Sequence, residues 1–317
     1  MPEENWERKA LERLATDIVV ERRRARRWGI FFRLFGLLIV TFAVLALVGI
    51  AGFSHKVCLD QCTAVVHVDG EIERSGRVNA EHVIEGLKQA YDYPQVRGIV
   101  VVINSPGGSP VQAGQIFEEM RRLRAKHPEK PTYAVVEELA ASGGYYVAVG
   151  ADRIYVDRAS IVGSIGVIMD GFGAQRAIEK LGVERRVITA GENKSFMDPF
   201  EPLDPRHVEH ARTMLAEVHA QFIAAVREGR GNRLKETPDL FSGLVWTGQR
   251  AIDLGLADEI GSVDYVAREV IKAQEIVDFT PEERLTERIA RRFGTTVARM
   301  IGYELRVPRF GGGYSFR

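Results

Sequence analysis

Cysteine is scarce in this chain of 317 residues: only Cys58 and Cys62 occur, which excludes a disulfide-built scaffold and a four-thiolate zinc site. Net charge is lacking too. Forty-three basic residues balance 43 acidic ones, so no global field marks the chain as a nucleic-acid binder. Seven histidines are present, but none stands in a catalytic motif. His67 falls in an apolar run, and His127, His207, His210 and His219 fit surface or helical positions, which makes a Ser–His–Asp triad the weaker mechanism. No internal repeat is visible. No His/Asp cluster joins the cysteines, so neither a metal nor a cofactor is expected. The two thiols fit a short-range disulfide or a reduced pair equally well.

Long apolar runs are also rare, with one exception. Residues Leu34 to Phe53 carry no charge, and twenty helical residues span about 30 Å, enough to cross a hydrocarbon core. A cleaved signal peptide is the competing reading, but its apolar stretch is shorter and does not follow some thirty polar residues. Arg22, Arg23, Arg24, Arg26, Arg27 and Arg33 precede the run, whereas only Lys56 follows closely. That asymmetry predicts a single-pass anchor with a cytoplasmic N-terminus and the bulk of the chain outside.

Beyond Thr63 short apolar runs alternate with helical periodicity. Strands are expected at Ala64–Val68, Gly98–Ile103, Thr132–Val136, Arg153–Val156, Ile165–Met169 and Glu184–Ile188, and helices at Ala80–Tyr91, Val111–Lys126, Gly173–Leu181 and Pro205–Glu228. The rhythm is that of an α/β domain built from stacked ββα units, with the last helix packed on the outside. Gly255 is the expected stop of a helix beginning near Thr247. After Pro281, five arginines between Arg284 and Arg299 accompany Leu285, Ile289, Phe293, Val297 and Met300. This reads as an amphipathic helix for a membrane surface or a neighbouring subunit, or as a solvated basic face. The divisions are 1–33 cytoplasmic, 34–53 transmembrane, 54–62 linker, 63–274 α/β domain and 275–317 basic tail.

Two glycine turns carry the chemistry. Ala140-Ala141-Ser142-Gly143-Gly144-Tyr145-Tyr146 offers a serine on a turn of small residues that opens a helix directly after a strand. Asn104-Ser105-Pro106-Gly107-Gly108 closes another strand. A serine hydroxyl needs a base in reach and donors for the oxyanion its attack creates. Glycine lets backbone N–H groups approach a carbonyl, so Gly108 and Gly143 are the candidate donors. Gly191-Glu192-Asn193-Lys194-Ser195 supplies a candidate base, since a buried lysine loses its proton readily. Lys180, at a helix end, is the rival.

These motifs, with Gly163-Ser164-Ile165-Gly166-Val167-Ile168, resemble the signal peptide peptidase A family in its short form, membrane-anchored serine proteases of the ClpP/crotonase fold. The resemblance runs from about Thr63 to Val270. It implies a Ser/Lys dyad of Ser142 and Lys194, with Ser164 orienting the amine and Gly108 and Gly143 holding the oxyanion. It implies a ring-forming homo-oligomer in the bacterial inner membrane, with an extracytoplasmic catalytic domain and a lysine that an adjacent protomer can supply. Its substrates would be signal peptides left in the bilayer and other hydrophobic membrane-protein fragments. Ser109-Pro110 departs from the family's further glycine. Two other classes stay open: a crotonase-like acyl-CoA enzyme and a non-catalytic membrane quality-control scaffold.

Overall fold

The computed structural model describes residues 26–43, 58, 60–281 and 315–316. Residues 26–43 form helix α1, whose apolar side chains are exposed; Phe31 stacks on Phe35 with ring centroids 6.0 Å apart. Among the described residues no helix is long and apolar enough to cross a membrane. Part of the expected span, 44–53, lies outside them, as do residues 1–25 and the tail 282–314.

The remaining residues are mixed α/β. In chain order they form β1 (Cys62–Asp69), α2 (Ala80–Asp92), β2 (Val96–Ser105), α3 (Pro110–Lys126), β3 (Thr132–Ala141), α4 (Gly143–Ala148), β4 (Arg153–Val156), β5 (Ile161–Gly163), β6 (Met169–Asp170), α5 (Gln175–Lys180), α6 (Pro205–Arg230), β7 (Val245–Thr247), α7 (Gly248–Asp253), β8 (Glu259–Ile260), β9 (Glu275–Asp278) and β10 (Ser315–Phe316). The main sheet runs β7-β5-β3-β2-β1-β9, parallel except at β5/β7. β10 pairs with β6 in a small separate ribbon.

Sequence dictates the sheet's burial. Strands covered on both faces read as continuous apolar runs, and Ile99 to Ile103 are all buried. Alternate residues face opposite layers: Ala64, Val66, Val101, Ile103 and Val136 join the helix-covered core, while Val65, Val100, Val102 and Val135 pack with Tyr155 and Val266. Each fully buried valine or isoleucine contributes about 1.5–3 kcal/mol. The disulfide Cys58–Cys62, Cα atoms 5.8 Å apart, ties the start of β1 to the preceding chain.

β3 forks. Tyr133–Val136 pair with β4, and Leu139–Ala141 pair with β5. The strand expected at Ile165–Met169 is displaced, because Gly163 (φ 113°) and Ser164 (φ 52°) turn the chain out of the extended region. The strand therefore ends at Gly163, and only Met169–Asp170 pair again. Glu184–Ile188 forms no strand, since no neighbouring strand among the described residues offers it a ladder, and Ile188 is 99% exposed. The helix expected at Gly173–Leu181 shortens to α5, which buries no residue. The sheet also continues past the expected boundary at 274, because β9 pairs in parallel with β1.

Gly255 does stop α7. Its φ is 74°, a Cβ there would meet the Arg233 carbonyl at 1.8 Å, and Leu256 N–H reaches back to the Ala251 carbonyl at 2.8 Å. Tyr145 of α4 donates its hydroxyl to the Leu256 carbonyl at 2.8 Å, two residues before Asp258 of a buried ion pair. Arg230, 1% exposed, grips Asp258 through two bonds of 2.8 and 2.9 Å and donates Nε to the Gly255 carbonyl at 2.7 Å. Burial alone opposes ionisation of Asp258, but the hydrogen bonds and charge of Arg230, with Ile154 N–H and Arg233, outweigh it and hold the carboxyl below its ordinary range.

Candidate active site

Three strand ends converge to make the site. β2 ends at Ser105, β3 at Ala141 and β5 at Gly163, and their parallel register places Ser105 beside Ala140 and Ala141 beside Gly163. The next residues, at 106–108, Ser142 and Ser164, therefore emerge together. Ser142 N–H donates to the Gly163 carbonyl at 2.9 Å, and Ser164 N–H to the Leu244 carbonyl at 2.8 Å. Ser142 has φ 50° and ψ −123°, a strained backbone for a residue with a side chain. The turn is held open by its neighbours, and its hydroxyl makes no capping bond to the helix it begins.

Glycine is required where the two turns touch. A Cβ at Gly107 would lie 2.7 Å from Gly143 N and from Ser142 Cβ, and one at Gly108 would lie 2.2 Å from the Ile72 carbonyl oxygen. The loop before α3 is fixed from both sides. Ile72 N–H donates to Gly107 and Ser109 N–H to Ile72, at 2.7 and 2.8 Å, while buried Ser105 Oγ accepts Gly107 N–H at 3.1 Å. The Ser109-Pro110 departure has a local function here: Ser109 caps α3 through Gln112 N–H, and Pro110 occupies the first helical turn.

Among the described residues the N–H groups of Gly108 and Gly143 donate to no protein acceptor. That of Gly143 is one of the unpaired donors at a helix start. Both flank a small pocket with Ser142, Tyr146, Val167, Val218, Gln221 and Phe222. Tyr146 stacks on Phe222, centroids 4.7 Å apart. Val218, Gln221 and Phe222 belong to α6, the helix expected to pack on the outside, and its amphipathic pattern gave no sign of a wall over a pocket. Among the described residues no carboxylate, lysine or histidine lines this pocket. His219 on the same helix directs Nε2 to the Ile165 carbonyl at 3.1 Å.

Lys194 lies elsewhere. It is exposed, in a turn where its N–H donates to the Gly191 carbonyl at 3.1 Å, and it does not line the pocket. Within one chain, then, Ser142, Gly108, Gly143 and the Ser164 backbone come together, and Lys194 does not join them. The intervening segment, 165–203, holds exposed apolar side chains, including Phe172 at 90% and Ile188 at 99%.

Residues 124–277 match peptidase family S49. A protein named "Putative protease MJ0651" from Methanocaldococcus jannaschii is 32% identical over 210 residues, covering 65% of this chain and 67% of that one. The chain belongs to peptidase family S49. The family match takes in Ser142, Ser164 and Lys194, whereas the Gly108 loop precedes it. "Putative signal peptide peptidase SppA" from Enterococcus faecium is 29% identical over 202 residues, covering 64% of this chain and 58% of that one. A protein named "Na(+)/H(+) antiporter NhaA" from Brucella melitensis is 46% identical over 177 residues, 56% of this chain. The chain spans about a quarter, 24%, of that protein's length.

Proposed function

We propose that this chain is a serine endopeptidase of the ClpP/crotonase type of fold, with Ser142 as nucleophile and Lys194 of an adjacent copy as general base. One observation carries the reading: Ser142 stands on a strained turn between two backbone amides for which the described residues offer no acceptor. Preorganised donors of this kind stabilise charge that develops on a carbonyl oxygen. Placement of Lys194 on an exposed arm with apolar side chains supports its delivery across an interface, because among the described residues of one copy no base lines the pocket.

The steps follow from these roles. Ser142 Oγ attacks the scissile carbonyl carbon and passes its proton to the uncharged Lys194 amine, while Gly108 and Gly143 N–H hold the oxyanion. Collapse breaks the C–N bond, and the lysine ammonium returns the proton to the leaving amine. Water, deprotonated by the same lysine, then releases the acyl group and restores the serine. Ser164 orients the amine. An amine taken out of water favours its uncharged form, which is what covering the arm would provide.

The proposed substrates are signal peptides and other hydrophobic membrane-protein fragments, in line with the name of the Enterococcus relative. Residues 34–53 would anchor the chain in a bacterial inner membrane with the catalytic domain outside, where a disulfide such as Cys58–Cys62 persists. The test is phosphonylation by a serine-directed fluorophosphonate probe, in which the serine oxygen displaces fluoride from phosphorus. Labelling mapped to Ser142 and lost in Lys194→Ala is expected; equal labelling in Lys194→Ala removes the base from the mechanism.

A further inference from the structure

A groove of about 890 Å³ runs along the outer face of α2, remote from Ser142. Ile84, Tyr93, Pro94 and Phe279 give it an apolar floor, and Glu81, Glu85 and Asp92 line its rim. The rim's single lysine, Lys88, is engaged by Glu119 at 3.4 Å. Among the described residues Glu81, Glu85 and Asp92 form no ion pair; Glu85 accepts only a hydrogen bond from Gln89 at 3.1 Å. The groove is thus apolar within and negative at its edge.

The chain itself delivers a matching segment to this place. β9 ends at Asp278, Phe279 N–H donates to the Val65 carbonyl at 2.7 Å, and Thr280 Oγ1 accepts His67 N–H at 2.9 Å. Phe279 and Pro281 then pass against the middle of α2, where a Cβ on Gly86 would meet the Phe279 carbonyl at 2.8 Å and Pro281 Cδ at 3.1 Å. Either end of α2, Ala80 or Asp92, lies six helical positions, about 9 Å, from that crossing at Gly86. The acidic residues of the sequence that follows, Glu282, Glu283 and Glu287, come first; Leu285, Ile289, Phe293 and Val297 recur at helical spacing, and Arg288, Arg291, Arg292 and Arg299 stand in a stretch, 288–300, without an acidic residue. Arg288 to Arg299 spans the same eleven positions as Glu81 to Asp92, about 16 Å of helix.

We infer that residues 284–300 of the same chain dock along α2 as an amphipathic helix, apolar stripe in the groove and the arginines from Arg288 to Arg299 against its acidic rim. A membrane surface or a second copy could draw on the same stripe, but tethering at Pro281, beside the groove, gives the chain's own segment the higher effective concentration.

The full-length chain carrying p-benzoylphenylalanine at position 293 tests this by photocrosslinking and peptide mapping. Crosslinks within the same chain to residues 81–94 or 279 are expected. In a mixture of isotopically light and heavy chains, crosslinks joining the two would overturn the proposal, as would crosslinks to lipid or detergent alone. Glu81→Lys/Glu85→Lys/Asp92→Lys alters only exposed positions, so folding is retained. It is expected to lower the intrachain yield about tenfold, the sum of three partly exposed ion pairs. Combining it with Arg288→Glu/Arg291→Glu/Arg292→Glu is expected to restore the yield; an unchanged yield in the first variant would overturn the charge match.

Discussion

The turn bearing Ser142 and the arm bearing Lys194 are built by opposite means. The turn is locked by backbone against backbone: a Cβ at Gly107 or Gly108 would collide with neighbouring main chain, and Gly143 packs tightly against both. The arm from 165 to 203 has a six-residue helix that buries nothing and apolar side chains open to water. One region is finished by its own chain, and the other presents what an interface needs: large apolar groups in an otherwise polar setting. The contrast teaches that one chain can fix the backbone around Ser142 by itself while leaving the segment that carries Lys194 exposed, as the proposed delivery of a base from another copy requires.

Changes on the turn are expected to have the largest effects. Ser142→Ala is expected to lower peptide hydrolysis by about 10³-fold or more with association unchanged, read by cleavage assay and light scattering. Retained hydrolysis would remove the turn's central role. Asp258→Ala tests the buried ion pair: stranding Arg230 is expected to cost about 3–5 kcal/mol in chemical denaturation. For wild type the sign is fixed by the lowered carboxyl of Asp258. Its stabilisation is fully present above the ordinary carboxylate range and is lost as pH falls through the folded value, below about pH 4. A denaturation series from pH 7 to 3 reads this, and Asp258→Ala is expected to show a flatter profile.

Gly108→Ala sharpens the comparison further. The new methyl group collides with the Ile72 carbonyl at a φ of 137°, shifting the donor and lowering kcat by about 10²–10³-fold. The smallest effect on the isolated chain belongs to the arm. Phe172→Asp is expected to change single-chain stability by less than about 0.5 kcal/mol while weakening self-association in sedimentation experiments. The opposite pattern would make the arm part of the folded core.

Much of the turn was legible in the sequence, because its physics is local: a strand, small residues and glycines leave few other conformations for 140–146. The buried strands were legible too, since Ile99 to Ile103 can only be covered on both faces. Less legible was whatever depends on a distant partner. Ile165–Met169 has strand composition, yet the positive φ of Gly163 and Ser164 ends the strand first. Val218, Gln221 and Phe222 wall the pocket through packing of α6 that periodicity does not specify. Lys194 was legible only through its motif, and its exposed place in the turn after Gly191 follows from no local pattern.

Mixing purified Ser142→Ala and Lys194→Ala chains, each inactive, tests delivery of the base across copies most directly. After co-assembly in equal amounts, about a quarter of wild-type hydrolysis is expected, the fraction of interfaces that pair an intact serine with an intact lysine. No recovery from a mixed assembly that sediments like wild type would contradict it.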